Sequence, residues 1–248
     1  MMNMLFVELI TYMSKILIVP DVHGRKFWRK AIEMIDEVDQ VVFLGDYLDP
    51  YPREGILFED AVQEFNDILK FKEEYPDKVT LLVGNHDMHY IVKEFMDCSR
   101  LNVWRRLEMY ELYNKHIDKF QLVNWTGEYL FSHAGLYLEW VKKHELTIFN
   151  LMDFKSFLEK HWKTLEDVSY TRGGYDPVGS CVWADIRESL SNELPAAFKR
   201  QIVGHTQMIE KPYITSKIAC LDVRKCFILD TNTDEINEIT EEISEDIN

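Results

Sequence analysis

Short apolar runs alternate with amphipathic stretches along the first third of the chain. Runs dominated by Val, Ile and Leu predict three buried strands, which are Lys15–Val19, Gln40–Leu44 and Val79–Val83. Between these runs, apolar residues recur at helical spacing and predict helices over Arg25–Asp36 and Phe58–Lys70. This β-α-β-α-β order predicts parallel strands joined by right-handed crossovers.

The rest of the chain mixes both patterns. Helical spacing predicts further helices, from about Leu101 to His116, near Tyr137–Lys143 and near Leu151–Trp162. The pair Thr126-Gly127 predicts a hairpin between Phe120–Trp125 and Glu128–Ser132. After an irregular glycine-containing loop, strand-like runs return at Arg200–Val203, Lys217–Asp222 and Cys226–Leu229, the last two closing through Arg224-Lys225. Two β-rich halves flanking helices predict one domain with two sheets.

The two ends of the chain differ from the body. We predict a domain over residues 13–232, preceded by a loose extension over residues 1–12 that lacks the basic start of a signal peptide. Residues 233–248 carry seven acidic residues and no Lys or Arg. Because Ile236, Ile239, Ile243 and Ile247 recur at spacings of three and four, this tail is either a solvated end or a short helix lying on the domain.

Composition narrows the function classes. The chain has 248 residues, 46% of them hydrophobic, which is enough apolar material for a core. Its 28 basic and 43 acidic residues give a net charge of −15, which argues against partners such as nucleic acid or an anionic membrane. Four cysteines without a C-x-x-C pair indicate free thiols in a reducing compartment, so we predict a cytoplasmic protein.

A polar cluster follows each of five predicted strands. The clusters are Asp21-Val22-His23-Gly24, Gly45-Asp46-Tyr47-Leu48-Asp49, Gly84-Asn85-His86-Asp87, Ser132-His133-Ala134-Gly135 and Gly204-His205-Thr206. Ligands of open α/β sheets bind beyond the carboxyl ends of the strands, so the clusters are expected to converge. Singly, each is also explained as a helix cap, a turn or a core histidine, but the joint pattern favours a binding site.

The residue types in these clusters indicate a metal site. Asp, His and Asn without thiolate suit Mn²⁺, Fe, Zn²⁺ or Mg²⁺ rather than a structural Cys-rich zinc site. Five of the ten glycines flank these polar residues, where they permit tight turns from strand to loop.

The ordered motifs D-x-H-G, G-D-x-x-D, G-N-H-D, S-H-A-G and G-H-T resemble those of the calcineurin-like metallophosphoesterase superfamily. They are most similar to its phosphoprotein phosphatase and symmetrical diadenosine tetraphosphatase branch, and they span Asp21 to Thr206. The resemblance implies an α/β, single-domain calcineurin-like phosphoesterase fold in which two β-sheets are sandwiched between helices (αββα).

The resemblance also implies a site with two divalent or trivalent metal ions, Mn²⁺ and Fe being the first choice and Zn²⁺ or Mg²⁺ the alternatives. By the family pattern, one metal takes Asp21, His23 and Asp46, and the second takes Asp46, Asn85, His133 and His205. Asp46 would bridge the pair. His86 would be the general acid and Asp49 would orient it, a pairing expected to keep the imidazole protonated near neutral pH.

Several positions depart from the family pattern. Protein phosphatases of this branch continue G-D-x-x-D with Arg-Gly, whereas Pro50 follows Asp49 here, so Arg53 is the nearest substitute. Arg172 and Arg187 are further candidates for binding phosphate, and Trp183-Ala184-Asp185 resembles a W-S-D segment of the protein phosphatases. Relatives with G-H-x-H have one more ligand than this chain, which suggests weaker binding of the first metal.

The resemblance implies hydrolysis of phosphomonoesters by a metal-activated hydroxide, with a phosphorylated small molecule, nucleotide or phosphoprotein as substrate. A serine/threonine protein phosphatase-like enzyme is the leading hypothesis. The alternatives are hydrolysis of a dinucleoside polyphosphate or another nucleotide, and a catalytically silent scaffold. The segments between Asp87 and Phe120 and between Leu136 and Ala196 are expected to shape the mouth of the site.

Overall fold

A computed structural model describes residues 15–239 of the chain. Two sheets contain the strands of this part. The first sheet comprises Lys15–Val19 (β1), Gln40–Phe43 (β2), Val79–Leu82 (β3), Phe120–Gln121 (β4), Phe227–Asp230 (β10) and Glu235–Glu238 (β11). Its strands lie in the order β11-β10-β1-β2-β3-β4. Strands β1 to β4 are parallel, as predicted, and β10 pairs antiparallel with β1 on the other side.

The second sheet has the order β5-β6-β7-β9-β8. It comprises Val123–Thr126 (β5), Tyr129–Ser132 (β6), Arg200–Val203 (β7), Tyr213–Ile214 (β8) and Ile218–Cys220 (β9). Strands β6, β7 and β9 are parallel, whereas β5 and β8 run antiparallel at the two edges.

Seven α-helices occur in the described part of the chain. They are Lys30–Glu33 (α1), Phe58–Glu74 (α2), Asn85–Ile91 (α3), Arg106–Lys115 (α4), Leu138–Lys143 (α5), Ile148–Met152 (α6) and Phe154–His161 (α7). The longest, α2, forms where the stripe predicted it and buries Ala61, Phe65 and Ile68 against the first sheet's core. No helix between residues 15 and 239 combines the length and apolarity that crossing a membrane requires.

Alternate residues of β1 face two different cores. Ile16 and Ile18 belong to an apolar layer between the two sheets, together with residues of the second sheet such as Phe131 and Ile202. Leu17, between them, belongs to the larger core beneath the helices. Because both faces of the central strands are covered, they read as continuous apolar runs in the sequence. The predicted αββα arrangement is confirmed.

Two strand pairings differ from the prediction. The run Phe120–Trp125 is divided at the buried Leu122: its first part pairs with β3 in the first sheet, and its second part forms the predicted hairpin with β6. Strands β9 and β10 do not close on each other, because Cys220 pairs with Val203 in the second sheet whereas Phe227 pairs with Ile18 in the first. The chain crosses between the sheets at residues 221–226.

Two predicted helices are shorter or broken. The segment Arg25–Asp36 forms a 3-10 turn over Phe27–Arg29 followed by the short α1, while the Arg25 side chain donates to the Asp21 carbonyl oxygen at 3.2 Å. The segment Leu151–Trp162 is interrupted at Asp153, whose side chain accepts a hydrogen bond from the Ser156 amide and so begins α7.

The start of the acidic tail is not helical. Residues Glu235–Glu238 form edge strand β11, antiparallel to β10, so the helix that the isoleucine spacing allowed is wrong for this segment. Isoleucines 243 and 247 and the predicted extension over residues 1–12 lie outside the described residues.

Candidate metal and phosphate site

The carboxyl ends of β1, β2, β3, β6 and β7 meet at one place, and the loops after them are joined by backbone hydrogen bonds. The His23 amide donates to the Asp46 carbonyl oxygen at 2.7 Å, and the Gly204 amide donates to the His133 carbonyl oxygen at 2.8 Å. The two halves of the site are linked by the His205 amide, which donates to Asp21 Oδ1 at 2.9 Å. The structure therefore brings the five predicted clusters together.

The six predicted ligand residues form two adjoining groups. Asp21, His23 and Asp46 offer ligand atoms within 4.8 Å of one another, and so do Asp46, His133 and His205. Asn85 joins the second group, because its Oδ1 lies 3.1 Å from His133 Nε2. Asp46 belongs to both groups, as a residue that bridges two ions must.

The histidine rings are oriented with one nitrogen toward the site. His23 Nδ1 donates to the Leu48 carbonyl oxygen and His133 Nδ1 to the Leu44 carbonyl oxygen, each at 2.7 Å. A carbonyl can only accept, so the Nε2 lone pair of each ring faces inward, the usual arrangement of metal-binding imidazoles. His205 presents its Nδ1 to the same place, 3.0 Å from His133 Nε2. These residues fit a pair of metal ions.

The electrostatics of the site also favour cations. Burial, with the nearby Asp222 carboxylate as the next contribution, raises the pKa of Asp21 well above its ordinary value. Burial and Asp87 raise the pKa of Asp46 in the same way. Burial lowers the pKa of His23 well below its ordinary value, which keeps that ring neutral. A divalent cation stabilises carboxylates and needs neutral imidazoles, so it matches both shifts.

The backbone at the site is held in an unusual conformation. His23, Asp46, Asp49 and His205 have φ angles of 46°, 55°, 58° and 62°, the left-handed region that non-glycine residues seldom adopt. Such residues cost about 1–3 kcal/mol each and cluster at functional sites. Gly84 has an ordinary φ, but a Cβ there would overlap Asp46 Oδ1 and His133 Cε1, so only glycine allows this approach.

Asp49 and His86 form the predicted pair. His86 Nδ1 donates to Asp49 Oδ2 at 2.8 Å, and Tyr90 Oη donates to Asp49 Oδ1 at 2.6 Å. His89 Nε2 lies 2.9 Å from Asp49 Oδ2, while its Nδ1 accepts from the Cys98 amide. Burial alone would raise the pKa of Asp49, but the hydrogen bonds from the two histidines lower it. The sequence reading missed His89 and Tyr90, although their spacing of three and four from His86 on a helix is a usable signal.

The expectation that His86 is protonated near neutral pH is wrong for this structure. Burial lowers the pKa of His86 to about 4, and the opposing effect of Asp49 does not offset it. The Arg100 guanidinium lowers this pKa further. The ring is therefore neutral at pH 7 unless an anion binds beside it.

The three predicted phosphate-binding arginines are not equivalent. Arg53 is exposed, with its guanidinium 5.3 Å from the centre of the Tyr51 ring. Arg187 is 62% exposed and pairs with Asp185 at 2.6 Å. Arg172 pairs with the same carboxylate at 2.9 Å and also donates to Thr206 Oγ1 at 2.7 Å, beside His205. Of the three, Arg172 contacts a predicted ligand residue, because it donates to the His205 carbonyl oxygen at 3.3 Å.

Arg100 is the arginine that sequence reasoning missed. Its Nη2 lies 3.3 Å from His86 Nε2 and 3.5 Å from His23 Nε2, and its Nε donates to the Asp49 carbonyl oxygen at 2.9 Å. The guanidinium stacks 3.8 Å above the centre of the Tyr51 ring, and φ of Arg100 is 67°. No motif marks this residue; the sequence places it only in a segment expected to border the site.

Comparisons with known proteins agree with this architecture. A family model described as calcineurin-like phosphoesterase matches residues 14–206. The cold-active protein-tyrosine phosphatase of a psychrophilic Shewanella species is 16% identical with a TM-score of 0.57, over 92% of this chain and 81% of that chain. A protein serine/threonine phosphatase from Saccharomyces cerevisiae is 13% identical with a TM-score of 0.52, over 94% and 82%. At such identities the likeness concerns the fold alone. A search of curated protein sequences gives no significant match.

Proposed function

Because the chain belongs to the calcineurin-like phosphoesterase family, we propose that it is a metal-dependent phosphomonoesterase with two ions held by Asp21, His23, Asp46, Asn85, His133 and His205. The observation that carries this proposal is the pair of ligand groups that share Asp46. Bound at these groups, two divalent ions would offset the negative charge of a phosphate and lower the pKa of a water molecule. The oxygen and nitrogen ligands suit Mn²⁺ and Fe first, and Zn²⁺ or Mg²⁺ next.

We assign Arg100 the role of holding the substrate phosphate. In place of the arginine that relatives have directly after G-D-x-x-D, this chain brings a guanidinium to the same neighbourhood from a later loop. The fork-shaped donor set of Arg100 matches phosphate oxygens, and its stacking on Tyr51 limits the positions it can take. Arg172 lies beside His205, where it donates to Thr206, and would supply a second positive charge there.

His86 would give its proton to the leaving oxygen, and Asp49 would hold the ring in place through Nδ1. The low pKa of the free ring is compatible with this role, because a phosphate dianion bound beside Arg100 raises the pKa of the adjacent imidazole. Protonation of His86 would therefore accompany substrate binding. His89 and Tyr90 hold the Asp49 carboxylate in the orientation that this transfer needs.

The substrate class that we propose first is a phosphomonoester, with a phosphoserine or phosphothreonine protein as the leading physiological form. The four cysteines are buried free thiols, which supports a reducing, cytoplasmic location. Dinucleoside polyphosphate hydrolysis is the competing activity, and a panel of substrates separates the two.

The test begins with protein stripped by a chelator and reloaded with Mn²⁺. Release of phosphate from p-nitrophenyl phosphate is measured between pH 5 and 9, followed by a phosphopeptide panel and diadenosine tetraphosphate. We expect hydrolysis only after reloading, and none in Asp46→Asn, whose loss of charge weakens both ligand groups. Protein that carries two metal ions and hydrolyses none of these substrates would favour a silent scaffold and overturn the proposal.

A further inference from the structure

A cavity of about 420 Å³ opens beside the proposed phosphate site, and its walls are mainly apolar. Its lining includes Pro50, Phe58, Arg100, Leu101, Val103 and Trp104. The cavity volume is within the range of pockets that hold a small organic group. The function proposed above leaves this cavity without a role.

The cavity lies on the side of the general acid. Arg100 lines it and at the same time reaches His86 Nε2 at 3.3 Å, while Pro50 directly follows the Asp49 that holds His86. A general acid must lie within hydrogen-bond reach of the leaving oxygen, so the leaving group departs on the His86 side. The group attached to that oxygen therefore extends toward this cavity.

The chemistry of the walls selects among leaving groups. Trp104 is 96% exposed and Val103 is 67% exposed, so both present apolar surface that no other described part of the chain covers. Among the described residues that line the cavity, Arg100 alone is charged, and it is engaged beside His86. A polyphosphate or nucleotide leaving group would bring several negative charges to walls that offer this single cation. A neutral ring or bulky apolar group matches these walls better.

The turn that presents Trp104 is anchored. Asn102 Oδ1 accepts from the Arg105 amide at 3.3 Å, and the Asn102 amide donates to Tyr90 Oη at 2.9 Å. Arg105 also pairs with Glu59 on α2 at 2.9 Å. The backbone that carries Val103 and Trp104 is thus ordered before a ligand arrives, which removes part of the entropy cost of binding.

From this geometry we propose that the cavity is the leaving-group subsite and that the preferred substrates are phosphate esters of aromatic or bulky apolar alcohols. This inference rests on the proposed function, since it assumes that His86 faces the leaving oxygen. It narrows the phosphomonoester chemistry, because it places esters of aromatic or bulky apolar alcohols ahead of the phosphoserine and phosphothreonine esters named above.

Phenyl phosphate and 4-tert-butylphenyl phosphate test the proposal, because their phenols have similar acidity and differ mainly in apolar bulk. We expect kcat/KM of the Mn²⁺-loaded enzyme to be roughly tenfold higher for the tert-butyl ester. This is the ratio expected if about two of its four added carbons are buried in the cavity. Trp104→Ala should bring this ratio toward one. Phe149→Ala removes another aromatic side chain, 71% exposed on α6 and outside the cavity lining, and should keep the ratio.

The outcomes separate the two proposals. Failure to hydrolyse either ester or any substrate of the panel above, with two metals bound, overturns the phosphoesterase function itself, whereas hydrolysis of the panel without either ester overturns the subsite alone. Hydrolysis of both esters with a ratio near one, or with the same ratio in Trp104→Ala, overturns the subsite and leaves the phosphoesterase intact. Faster hydrolysis of O-phosphoserine, the ester of a small polar alcohol, than of both aryl esters also overturns the subsite.

Discussion

Gly84→Ala is a single-methyl test of how closely the two halves of the site approach each other. The backbone of Gly84 (φ −103°, ψ 178°) suits alanine, so the substitution adds no dihedral strain. The new methyl group would, however, overlap Asp46 Oδ1, the Asp46 amide nitrogen and His133 Cε1. The amides of Gly84 and Asp46 both donate to Asp87 Oδ2 at 2.8 Å, which restrains the two backbones from moving apart.

The expected magnitude follows from this crowding. Overpacking of a filled interior costs about 1–3 kcal/mol, which the entropy gain of about 0.4–1 kcal/mol from replacing glycine offsets only in part. The methyl also displaces the shared Asp46 carboxylate. Because disturbing the support of a metal ligand typically costs tenfold to a hundredfold in affinity, we expect Mn²⁺ binding to weaken by about that factor.

Gly127→Ala is the matched control. Gly127 has φ of 57° in the hairpin turn and open space around its Cα, so alanine there costs about 1 kcal/mol through strain without touching the site. Urea unfolding should show losses of similar size for both variants, while Mn²⁺ titration calorimetry should show weaker binding for Gly84→Ala alone. Wild-type Mn²⁺ affinity in Gly84→Ala would refute the packing that we describe around Asp46.

Three further predictions concern other parts of the molecule. His86→Asn should reduce turnover by roughly 10²–10⁴-fold while elemental analysis finds the metal content unchanged, and an unaltered turnover would remove His86 from the reaction. Arg100→Ala should lower kcat/KM for p-nitrophenyl phosphate by roughly tenfold to a hundredfold, the value of a charge-assisted hydrogen bond, with partial recovery in Arg100→Lys; wild-type kinetics in the alanine variant would exclude the phosphate role. Burial alone would raise the pKa of Asp234, but hydrogen bonds from Tyr129 and Lys199 lower it. The contribution of Asp234 to folding stability is therefore present at neutral pH and is lost as pH falls through the folded-state pKa. Asp234→Asn should therefore cost up to about 1 kcal/mol at pH 7 and less at pH 3 in urea titrations, whereas an equal cost at both would contradict the shift.

The strands and the polar residues that follow them were predictable because burial of the strands on both faces determines where both occur in the sequence. A strand that is buried on both faces, such as β1 or β2, must be apolar along its length, and the first polar residues after it mark where it leaves the core. The convergence of Asp21, Asp46 and Asn85 then follows from parallel strand order. The same rule, applied to the ends of the later strands, included His133 and His205, and the family resemblance then assigned both to the second metal.

The parts that the sequence did not predict depend on long-range contacts. Arg100 is placed by its loop, whose Cys98 and Asn102 amides donate to His89 and Tyr90 on α3, and no local pattern encodes that pairing. The division of the chain at Leu122 depends in the same way on which sheet each neighbouring residue joins. Arg172 and Arg187 could be recognised as arginines near a motif, but their shared pairing with Asp185 is visible only in three dimensions.

The proposed activity depends on a pair of cations held by side chains from five strand ends. Anomalous diffraction from crystals grown with Mn²⁺ tests this most directly. We predict two peaks per chain, about 3.5–4 Å apart, with the Asp46 carboxylate between them and His23 and His133 on opposite sides. A single peak, no peak, or peaks remote from these side chains would contradict the account.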